Sequence, residues 1–68
     1  MSEDRFDALR TTYRSRWDAY QVIAHQNAQL LQAGNQPSNE QLADEREAVA
    51  AVERARSDLL AALARLGN

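Results

Sequence analysis

Between Ala33 and Ser38 this chain cannot comfortably continue as a helix, and that break constrains everything else. Gly34 suits the left-handed position just past a helix end, because it has no Cβ to clash there. Asn35 is the next most tolerant residue for such a conformation. Pro37 has no N–H to donate and disfavours a helical residue before it. Ser38 and Gln41 have the spacing of a capping box, in which each side chain satisfies the other's orphan N–H. Glu40, Asp44, Glu45 and Glu47 then place negative charge near a helix start, where the dipole favours it. A link this short makes its two helices antiparallel neighbours.

The flanking segments carry helical patterns and no strand alternation. In the first, Phe6, Leu9, Tyr13, Tyr20, Ile23 and Leu30 recur at steps of three and four, in a register that also passes through Arg16 and Asn27. A second row, Arg10, Trp17, Ala24 and Leu31, runs beside it and widens the stripe. In the second segment the seam reads Leu42, Glu45, Val49, Val52, Arg56, Leu59, Leu63 and Leu66. Ala48, Ala55 and Ala62 flank it at a spacing of seven and allow close approach. Ser2 is expected to cap the first helix, with Glu3 and Asp4 in its first turn, and Gly67 to end the second. The expected fold is all-α: a single helical-hairpin domain over 1–68, with a helix at about 3–33, a turn at 34–38 and a helix at about 39–66.

Folding about residue 36 pairs positions whose numbers sum to about 72. Ile23 then meets Val49, Tyr20 meets Val52, Trp17 meets Ala55 and Leu9 meets Leu63. Large residues of the first helix face small ones of the second. Asn27 falls near Glu45 and Arg46. It either forms a hydrogen-bonded polar layer that fixes register, or marks where the pair opens to solvent. Arg16 and Arg56 also come close, so a carboxylate is expected to reach them, with Glu53 the best placed.

A chain of 68 residues without cysteine has few ways to stabilise itself. Disulfides and thiolate chemistry are absent. His25 is the single histidine, so no His/Cys metal site is expected, and the acidic residues at the second helix start read as a solvated face. Neither a cofactor site nor a catalytic group is expected: no carboxylate pair lies on the apolar face, and Ser15, Ser38 and Ser57 have no histidine partner in reach. The chain is therefore read as not an enzyme. The stretch Arg10 to Trp17 interleaves arginine with aromatics, a mix that nucleic-acid surfaces use. Arg10, Arg14 and Arg16 are the candidate contacts. The net charge of −2 and the place of Tyr13 and Trp17 on the apolar stripe speak against that use. No apolar run approaches a membrane span. The acidic Met1-Ser2-Glu3-Asp4 start lacks a signal-peptide core, so a cytoplasmic protein is expected.

Oligomerisation is the stabilising device left. One hairpin covers one stripe per helix, which leaves Trp17, Leu31, Leu60 and parts of Tyr13 wet. Burying a large apolar side chain contributes roughly 1.5–3 kcal/mol. Several of these, doubled by symmetry, can exceed an association cost of about 4–15 kcal/mol. The reading is a structural or interaction module working through helix–helix contacts. It is expected to self-associate as an antiparallel, two-fold homodimer, a four-helix bundle, or to take a helix of another protein. Its interface residues are Tyr13, Trp17, Tyr20, Ala24, Leu31 and Leu60.

Overall fold

The computed structural model describes the backbone of residues 2–66 and the side chains of residues 5–66. It holds two α-helices, α1 (Ser2–Gln32) and α2 (Asn39–Leu66), packed against each other along their length. The pair is a rod of 50 × 16 × 14 Å. At about 1.5 Å of rise per residue, a helix of α1's length spans nearly that long axis. No strand occurs among the described residues. The caps expected of Ser2 and Gly67 involve groups outside the described side chains.

The turn follows from its residues. Gly34 takes φ +81°, the left-handed conformation that ends α1. Its N–H donates to the Leu31 carbonyl at 3.0 Å, and the Asn35 N–H donates to the Leu30 carbonyl at 2.8 Å. Those two bonds make a Schellman motif and satisfy carbonyls the helix end would leave unpaired. At the start of α2, the Ser38 N–H donates to Gln41 Oε1 at 2.8 Å, and the Gln41 N–H donates to Ser38 Oγ at 3.1 Å. The capping box is therefore complete. Pro37 is buried immediately before it, and Leu42 is half-buried. These two occupy the positions of a hydrophobic staple, which fixes how the chain enters the helix.

The core is thin. Its centre is Val52 and Ala55, 7% and 6% exposed, and no large side chain among the described residues is fully buried. On α1 the half-buried side chains include Phe6, Leu9, Tyr13, Tyr20, Ile23 and Leu30 of the heptad-like seam, whose Arg16 is exposed. On α2 the contact line differs from the sequence expectation. It runs through Ala48, Val52, Ala55, Leu59 and Ala62, whereas Val49, Arg56, Leu63 and Leu66 are exposed. The physical reason is volume. The rings of Phe6, Tyr13 and Tyr20 occupy the space between the axes, so the alanine column is what can sit opposite them. α2 is rotated accordingly: Val49 and Leu63 turn outward, while Val52 and Leu59 stay on the contact line.

That rotation turns Arg56 outward, and the expected arginine problem does not arise. Arg16 and Arg56 are both exposed, and neither has a carboxylate within ion-pair range among the described residues. Glu53 does not bridge to Arg56, because solvent already hydrates both guanidinium groups. Among the described residues the ion pair present is Arg10–Asp7, one turn apart on the exposed surface of α1.

Candidate interaction face

One outward row from each helix falls on the same side of the rod. On α1, Arg10, Ala24 and Leu31 each follow a contact residue (Leu9, Ile23 and Leu30), and Trp17 continues their seven-residue row. On α2, Val49, Arg56 and Leu63 follow Ala48, Ala55 and Ala62, and Leu42 continues that row. Each step along a helix turns about 100° in the same sense. The two helices run in opposite directions and face each other, so both rows emerge on the same face.

The face is apolar and uncovered. Trp17 is 44% exposed, Leu31 62% and Leu63 45%, with Val49 and Leu60 also exposed. The Trp17 and Tyr20 rings stack with centroids 5.5 Å apart at 29°, which holds the indole in a defined place. Tyr13, Tyr20 and Ala24 are half-buried. The six residues expected at an interface thus divide. Trp17, Leu31 and Leu60 stand out in solvent, and the other three are shared with the hairpin core. Sequence reasoning missed Val49, Arg56 and Leu63 as members of this face. The available signal was the alanine column, which marks the contact line wherever rings stand opposite. Val22, 58% exposed, lies near the opposite side of α1 beside the exposed His25 and belongs to neither row.

Near the turn the two helices are joined by a polar clasp. Asn27 is 4% exposed, and its Nδ2 donates to Glu45 Oε1 at 2.7 Å and to the Gln41 carbonyl at 3.3 Å. Gln41 thus serves twice, capping Ser38 with its side chain and receiving Asn27 on its backbone. The polar-layer alternative for Asn27 is the one realised. Among the described residues every buried side-chain nitrogen and oxygen has a partner.

The three arginines of the arginine–aromatic stretch do not converge on one surface: Arg10 and Arg14, four residues apart, share a side, and Arg16 does not. The Arg10 guanidinium lies 5.0 Å from the Phe6 ring centroid and pairs with Asp7. Arg14 and Arg16 are exposed, but two residues on a helix are about 200° apart, so they point to opposite sides. At the open end a cleft of about 140 Å³ lies between Phe6, Leu9, Ala62 and Leu66, edged by Arg5 and Arg65. Among the described residues no cluster of histidine, aspartate and glutamate is placed to hold a metal ion. Among the same residues no helix is long and apolar enough to cross a membrane. No family model, curated protein or solved structure matches the chain.

Proposed function

We propose that this chain is a non-enzymatic, cytoplasmic helical-hairpin module whose work is protein association. It associates first with itself, as a dimeric four-helix bundle. The observation that carries this reading is the largely apolar face built from both helices, with Trp17 on it and only Arg10 and Arg56 charged in its two rows. A core with no fully buried large side chain gains most from covering that face. The same surface could receive an amphipathic helix of another protein, through the same residues. A nucleic-acid role through Arg10, Arg14 and Arg16 has less support, since Arg10 is already engaged and the other two diverge.

The test is the mass of the purified chain in solution. Light scattering at micromolar concentration is expected to give about twice 7.6 kDa. A stable, helical monomer at every concentration, with tryptophan emission typical of water, would contradict self-association.

A further inference from the structure

Resting on the self-association reading, we infer that the two copies pack with their turns at opposite ends of the bundle. Charge supplies the argument. The turn end of the rod carries Glu40, Asp44, Glu45 and Glu47 against a single cation, Arg46. The open end, residues 2–16 and 54–66, carries seven of the eight arginines against four acidic residues. Each hairpin is therefore negative at its turn and positive at its open end. Stacking two with turns together sets like charge against like, whereas reversing one sets each acidic turn against a basic end.

The two rows accommodate that reversal. Both repeat every seven residues, and the Asn27–Glu45 contact sets them level with each other. A two-fold axis midway between the levels of Trp17 and Ala24 lays Trp17 over the partner's Ala24. That is the ring-on-alanine packing already used inside the hairpin. On α2 it lays Leu42 over the partner's Leu63 and Arg56 over the partner's Val49. Arg56 then lies within one helical turn of the partner's Glu45 and Glu53. Within its own chain Arg56 is hydrated and has no carboxylate in range among the described residues, so when a second copy covers it the reversed orientation is the one that brings carboxylates near.

The chain has no cysteine, so a single introduced thiol takes a spin label at one known place. Gln36→Cys and Asn39→Cys both put the label on exposed positions near the turn. Label-to-label distances are measured by pulsed electron resonance, beside the mass by light scattering. Circular dichroism of each labelled chain confirms that it is folded. Turns at opposite ends predict a distance on the order of 40 Å at both positions, from the helical rise over the overlap. Dimer mass with a distance of roughly 10–20 Å, the spacing of neighbouring helices, would overturn the orientation and leave self-association standing. Monomer mass with no dipolar coupling would overturn both.

Discussion

The side-chain amide of Asn27 donates at 2.7 Å to Oε1 of Glu45, joining the two helices close to the turn. Asn27 is buried and Glu45 half-buried, so the pair is partly shielded from water and the acceptor is a carboxylate. Glu45 is half-buried, so its carboxylate can regain some water, whereas an Asn27 left alone cannot. Asn27→Ala should lower stability by about 1–3 kcal/mol. For a domain this small each kcal/mol shifts the melting temperature by about 4–8 °C. Glu45→Ala should also be costly, whereas Glu47→Ala, a change at an exposed position of α2, should be close to neutral. Thermal melts of the three variants decide it, and equal melting temperatures for Glu45→Ala and Glu47→Ala would reject the clasp.

The turn should respond through backbone conformation and not through space. A Cβ built on Gly34 meets nothing within 4 Å, yet its φ of +81° is one that L side chains rarely adopt. Gly34→Ala should therefore cost about 1–2 kcal/mol. Gly34→Asn should cost less, because asparagine tolerates that region better. Ser38→Ala removes the acceptor of the Gln41 N–H and should cost about 0.5–2 kcal/mol. Urea melts that rank alanine and asparagine at position 34 as equal would show that the left-handed conformation is not what fixes the turn.

Position 55 against position 56 tests the rotation of α2. Ala55 is buried against α1 and Arg56 is exposed. Ala55→Leu should overpack the contact line and cost about 1–3 kcal/mol. Arg56→Leu should leave the hairpin's own stability nearly unchanged. The opposite order in denaturant melts would place the contact line on the Val49–Arg56–Leu63 row.

No nucleic-acid binding is expected at about 0.15 M salt, where exposed charges are screened beyond a Debye length. A gel shift at low micromolar protein that is lost in Arg10→Ala/Arg14→Ala would overturn this.

Much of the hairpin is legible in the residues because its strongest signals are local. The left-handed Gly34, the Ser38–Gln41 box and the seam of α1 each depend on neighbours within one or two turns. The register follows from the length of the turn, which is why Asn27 could be placed near Glu45. The facing side of α2 is not local. A count of apolar residues favours Val49 and Leu63 over Ala48 and Ala62, but packing against rings selects for small volume. Only the shape of α1 decides between the two rows, and that shape is not written in α2. The same rotation moves Arg56 from an expected seam to an exposed face, and with it the composition of the candidate interaction face.

The most direct test of the account compares two exposed apolar residues on different sides of α1. Trp17 lies on the proposed interface, and Val22 lies away from it at 58% exposure. Sedimentation equilibrium of the wild type, Trp17→Ala and Val22→Ser separates a specific face from general stickiness. The wild type and Val22→Ser are expected to be dimers. Trp17→Ala should dissociate at least about tenfold more readily, as truncation of a central aromatic does at protein interfaces. A monomeric wild type, or equal dissociation of the two variants, would contradict it.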